Sequence, residues 1–132
     1  MKKVYKEKII ITGGNGLLGS YFFRKYKKKY KIIRYPHRIE YFTKFQKWLN
    51  NKNFHYFIHF AAITKNESTK RRKNLNLINV KSTINIIKSI DKKKIKNFKY
   101  FLFISSSHVY GNSSKATKEN KKTLPNNPYG IS

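Results

Sequence analysis

The sequence predicts an α/β fold, a parallel sheet wound on both faces by helices. Three observations carry this. Apolar, β-branched runs alternate with stretches of helical periodicity, which is the signature of strand–helix–strand units. A glycine-rich turn, "GGNGLLG", joins the first apolar run to the first helical stretch. The chain has 132 residues with no internal repeat and no linker, which is the length of one domain.

The elements follow in order. Lys8–Thr12 ("KIIIT") is an apolar run read as strand one. Helix one extends from Leu17 to about Lys28, with Leu17, Leu18, Tyr21, Phe22 and Tyr26 as its apolar stripe. Strand two covers residues 30–34 and is broken by Pro36. A short helix over residues 41–49 spaces Phe42, Phe45, Trp48 and Leu49 to cover a core. Residues 54–60 form the next strand. A helix over residues 74–90 follows, with Leu77, Val80, Ile84 and Ile87 on one face. Residues 100–105 form the last strand, and a polar loop covers residues 111–128. Parallel sheets covered on both faces bind ligands at the carboxyl ends of their strands.

Composition narrows the class. There is no cysteine, so disulfides and thiolate zinc sites are excluded. His55 and His59 lie four apart on a strand with too few partners nearby for a metal; packed histidines are expected there. The apolar run at the start is too short for a signal-peptide core, and no stretch reaches membrane-spanning length. A cytoplasmic protein is the default. The charge is extreme, with 31 Lys and Arg against 5 Asp and Glu, a net +26. Such an excess can hold nucleic acid or an anionic surface. The lysines are scattered, however, and isoleucine and asparagine rise with them; shared A- and T-rich codons account for that. The run Arg71 to Lys73, at a helix start, is better placed for phosphate contact than the rest.

The glycine turn carries the first chemistry. Gly14, Gly16 and Gly19 fit G-x-G-x-x-G, and Gly13, Gly16 and Gly19 equally fit G-x-x-G-x-x-G. In both, glycine permits the turn, lets a pyrophosphate approach the backbone and lets the helix pack against the strand. The helix N-terminus offers free N–H groups to the phosphates. No Lys-Ser/Thr pair follows the glycines, which argues against a Walker A loop.

"TGGNGLLGS" resembles the cofactor loop of the extended short-chain dehydrogenases/reductases, the NAD(P)-dependent nucleotide-sugar epimerases, dehydratases and reductases. Four more blocks continue the resemblance in order: "FIHFAAIT", "NVKSTINII" (Ser82 standing for a glycine), "FISSSHVYG" and "PNNPYGIS". The resemblance implies that residues 1–132 form a Rossmann-like NAD(P)-binding domain, truncated before the later strands and the substrate-binding portion. The usual strand order, 3-2-1-4-5-6, would flank the strand at residues 100–105 with a later one. The cofactor would be held by Gly13, Gly14, Asn15, Gly16, Leu17, Leu18 and Gly19, by Arg34 and Arg38, by Ala61 and Ala62, and by Asn79, Ser105 and Tyr129. Tyr129 matches the acid/base tyrosine of Tyr-x-x-x-Lys, whose lysine would stand one place beyond Ser132. Ser106 matches the serine that hydrogen-bonds the reacting oxygen, with Ser105 and Ser107 as rivals.

The acid that binds the adenosine ribose in NAD enzymes stands about 20 residues past the glycines. Arg34 occupies roughly that place, Arg38 follows, and the first acid is Glu40. NADP is therefore favoured over NAD. A nucleotide sugar is the implied substrate of the full-length enzyme, with homodimer formation open to it. Neither a membrane nor nucleic acid is the expected partner. The competing reading is a non-catalytic Rossmann-like binding module or truncated gene product with weak, nonspecific nucleic-acid binding.

Overall fold

The computed structural model describes residues 6–64 and 74–132; the basic run at residues 71–73 lies outside the described residues. The elements are β1 (Lys8–Thr12), α1 (Leu17–Tyr26), β2 (Lys31–Arg34), α2 (Phe42–Asn50) and β3 (Tyr56–His59). A π-helical turn (Asn76–Lys81) then runs into α3 (Ser82–Lys93). β4 (Tyr100–Phe103), a 3-10 turn (Ser107–Tyr110) and the short α4 (Pro128–Ile131) complete the order. Among the described residues no helix is long and apolar enough to cross a membrane.

The four strands form one sheet in the order β2-β1-β3-β4, and every pairing is parallel. This is the Rossmann-like architecture the sequence predicts. Among the described residues no strand lies outside β2 or beyond β4, so both are edges. The sheet reverses its direction of growth between β1 and β3, which makes their carboxyl ends the crevice of the fold.

Alternation along β1 divides its isoleucines between two cores. Ile10 joins Phe45 and Leu49 of α2, Phe57 of β3 and Ile86 of α3. Ile9 and Ile11 join Ile58 beneath Phe22 and Phe23 of α1. Each such side chain, fully buried, contributes about 1.5–3 kcal/mol. Across the strands, Ile10 registers with Phe57 and Phe57 with Phe101. The two phenylalanine rings stack at 5.3 Å. At the opposite end of the sheet, Glu7 accepts the Tyr56 hydroxyl at 3.0 Å and pairs with Lys99. One of the few acids in the chain thus ties the starts of β1, β3 and β4.

Two helix faces differ from expectation. On α1, Leu17, Leu18 and Tyr21 are exposed, Leu17 by 85%. The sheet is met by Gly19, Phe22 and Phe23 instead. On the third helix, Leu77, Ile84 and Ile87 are exposed. The buried face is Leu75, Ile78, Ser82, Ile86 and Ile90. The cause is the π-helical turn. Its wider winding rotates the following residues relative to an α-helical register, and the Ser82 hydroxyl donates to the Leu77 carbonyl across it at 2.9 Å.

β4 is the weakly covered part of the sheet. Tyr100, Leu102 and Phe103 are all exposed, and an apolar strand edge invites pairing with other chains. Leu102→Lys is expected to reduce self-association of the 132-residue chain, measured by light scattering, while moving the thermal midpoint by only a few degrees. Unchanged association would show that this edge is not the source.

Candidate functional site

The chain leaves β1 through Gly13, whose φ is +67°. A Cβ there would lie 2.7 Å from the Ala61 nitrogen. Only glycine suits both demands, and the loop after β1 therefore sits directly on the backbone that leaves β3. Gly19 acts one helical turn later. A Cβ on it would overlap the Gly13 carbonyl oxygen, so its absence lets α1 close onto the loop.

Two cavities open along this line. The first, of about 310 Å³, is lined by Gly13, Gly14, Asn15 and Gly16, by Arg38, and by Ala61 and Ala62. The second, of about 90 Å³, is lined by Ala61 and Ala62 again, with Asn79, Ser105, Ser106 and Tyr129. The two alanines are the common wall. Ten of the residues singled out from the sequence for cofactor binding thus face one cleft across the carboxyl ends of the strands.

The others lie differently. Leu17 and Leu18 are exposed in the first turn of α1 and line neither cavity. Gly19 is buried beneath the loop. Arg34 stands beside the first cavity. Its guanidinium lies 4.4 Å over the Phe23 ring and donates to Asn15 Oδ1 at 3.3 Å, while its stem packs against Gly14. Glu40, the first acid after β2, lies 3.9 Å from Arg38.

The loop suits a phosphate group. Gly16 is the N-cap of α1 and brings no side-chain cap, and no acid stands in the first turn. A Cβ on Gly16 would meet only the Gly13 oxygen, at 3.3 Å, so the space above it is open. Helix N-termini of this kind attract anions.

In the second cavity Ser106 Oγ accepts the His108 N–H at 3.3 Å, which leaves its own proton to donate. Ser105 shares the wall, whereas Ser107 begins the 3-10 turn and does not. Tyr129 enters from α4, which Pro128 starts and Asn127 caps by accepting the Gly130 N–H at 2.9 Å. The His108 ring meets Tyr129 edge-on at 5.3 Å. Asn79 accepts the Ile63 N–H at 2.8 Å and donates to the Ile63 carbonyl and to Ser132 Oγ, each at 3.0 Å.

Sequence reading expects His59 to be packed but does not find its partners beneath the cleft. His59 is buried between Thr12 and Thr83, at 2.7 Å and 3.0 Å from their hydroxyls. Burial pushes its pKa down to about 4. A buried histidine four residues from another carries no local signal of its partners. Among the described residues no three metal-binding side chains come together.

Residues 9–132 match the NAD dependent epimerase/dehydratase family. No curated protein matches the chain. Among solved structures, the Bordetella bronchiseptica enzyme WbmG in complex with NAD superposes with a TM-score of 0.80 at 18% identity, over 99% of this chain and 48% of that one. The UDP-Glc/GlcNAc 4-epimerase of Campylobacter jejuni gives 0.80 at 23%, over 95% and 45%. RMD from Pseudomonas aeruginosa complexed with NADPH gives 0.76 at 21%, over 95% and 45%. The chain spans about half the length of these structures.

Two outcomes test the site. Gly16→Val is expected to keep a cooperative thermal transition and to lose at least tenfold in NAD(P)H affinity by calorimetry, about 1.4 kcal/mol. Gly19→Val is expected to lose the transition itself. Equal behaviour of the two variants would refute the division between a ligand-facing and a packing glycine.

The second outcome is acid sensitivity. His59 is neutral in the fold, so its contribution is complete above its unfolded value of 6.5 and is lost as pH falls toward about 4. The change amounts to about 3 kcal/mol. Glu7, held below the usual carboxylate value by Lys99 and then Tyr56, adds its own loss only below 4.5. Urea unfolding between pH 6.5 and 4.5 should therefore show falling stability that His59→Gln flattens. An equally steep fall in that variant would assign it elsewhere.

Proposed function

Since the chain belongs to the NAD dependent epimerase/dehydratase family, we propose that it is the dinucleotide-binding part of an oxidoreductase acting on a sugar nucleotide. The observation that carries this reading is the wall that the two cavities share. One cavity has the glycine loop and the uncapped start of α1, and the other has Ser105, Ser106 and Tyr129, with Ala61 and Ala62 between. The arrangement suits a ligand with phosphates at one end and a reacting ring at the other.

A bound nicotinamide supplies the hydride acceptor or donor. Tyr129, as phenolate, would take the proton of a sugar hydroxyl and, as phenol, would return it. Ser106 donates its free hydroxyl proton to the oxygen on which charge develops. Asn79 holds Ile63, and through Ser132 the end of α4, in place around them. Epimerase, dehydratase and reductase chemistry share these parts. The cytoplasm is the proposed location.

NADP is the proposed cofactor. Arg34 occupies the end of β2, and its guanidinium is held beside the loop by Phe23 and Asn15. Glu40 is drawn toward Arg38. It lines the first cavity with the loop, but its charge faces Arg38 at 3.9 Å, and the Arg34 guanidinium is the group in contact with the loop itself. Arg34→Ala and Arg38→Ala should each weaken NADPH binding about tenfold, in line with roughly 1.5–3 kcal/mol for a charge-assisted bond, and NADH binding much less. Equal losses for both cofactors, measured by calorimetry, would remove the NADP assignment. Binding of neither cofactor by the unmodified chain would remove the dinucleotide reading.

A further inference from the structure

His59 lines neither cavity, yet both ring nitrogens are engaged. Nδ1 lies 2.7 Å from Thr12 Oγ1, and Nε2 lies 3.0 Å from Thr83 Oγ1. The protons can be placed by elimination. The Thr83 hydroxyl donates to the Asn79 carbonyl at 2.6 Å, so its oxygen has only acceptor capacity left for His59. Nε2 must carry the hydrogen. In a neutral imidazole Nδ1 is then bare and accepts, here from the Thr12 hydroxyl. The Thr12 oxygen in turn accepts the Ala61 N–H at 3.4 Å. Every hydrogen in the chain points the same way, from Ala61 to the Asn79 carbonyl.

The two ends of this chain belong to different parts of the cleft. Ala61 rests on Gly13 and forms the common wall. Asn79 lines the second cavity and grips Ile63 and Ser132. We propose that His59, as the neutral Nε2–H tautomer, is a positioning residue that ties the glycine loop to the turn bearing Asn79 and so holds the two cavities in register for one dinucleotide. This rests on the dinucleotide reading above. A second proton on the ring would set Nδ1–H against the Thr12 hydroxyl hydrogen. The groups around the ring are Thr12 from β1, Thr83 from α3, and from β4 Phe101, tilted at 6.2 Å, and Phe103, stacked at 6.0 Å. None carries a charge.

The test has two readouts on the full 132-residue chain. Two-bond ¹⁵N–¹H spectra of histidine-labelled protein should show His59 as the Nε2–H tautomer from pH 8 to 5.5, with no titration near 6.5. In calorimetry, Thr83→Val removes both hydrogen bonds of that hydroxyl and should weaken NADPH and NADH about tenfold, with Thr83→Ser returning to within twofold of the parent. Thr12→Val interrupts the same chain from its other end and should match that loss, which keeps the test alive if Thr83→Val does not fold. An Nδ1–H tautomer, or titration near 6.5, overturns the assigned hydrogen-bond chain. The expected tautomer with parental affinity in folded Thr83→Val or Thr12→Val overturns the positioning role alone. A parent chain that binds neither dinucleotide overturns the functional reading, and the positioning role with it, while the spectra still decide the tautomer.

Discussion

The close approach of Gly13 to Ala61 is the constraint on which the rest of the structure turns. β1 and β3 are the two strands with a neighbour on each side and a core on each face. The carboxyl end of β1 must leave the sheet while touching the end of β3, and a side chain there would collide with backbone. That contact brings the phosphate loop and the alanine wall together. It also places Thr12 one residue earlier, opposite His59 in the sheet register. Sheet order, cleft and buried hydrogen-bond chain follow from one backbone juxtaposition.

The parallel sheet was legible because its signal is local. "KIIIT" and "FHYFIHF" are apolar runs of strand length, and β1 begins and ends where the sequence places it. The helix faces were less legible for a specific reason. α1 and α3 carry apolar residues around more than one side, so periodicity alone offers two stripes. The stripe that is buried contains Gly19 on one helix and Ser82 on the other, residues that no hydrophobicity argument selects. The π-helical turn then shifts the angular register in a way an α-helical period does not anticipate.

Much of the candidate site was legible too. Glycines before a helix and serines after a strand are patterns confined to a few residues. Arg34 was legible in position, although its hold on Asn15 and Phe23 depends on how β2 lies against α1. Thr12, His59 and Thr83 were not legible as a unit. They are separated by 47 and 24 residues, and each alone reads as an ordinary polar residue at the edge of a core.

The sheet order has a kinetic consequence. β1 pairs early with β2, which follows it closely in the chain, but its other neighbour arrives 47 residues after Thr12. Until then β1 presents an unsatisfied ladder and apolar side chains on one side, and closing that long loop costs entropy before any contact rewards it. A nascent chain emerging at ordinary translation speed spends seconds in this half-paired condition. The interval exposes the same isoleucines that are later buried on both faces of the sheet, so a segment hidden in the finished fold is the one most in need of protection during synthesis.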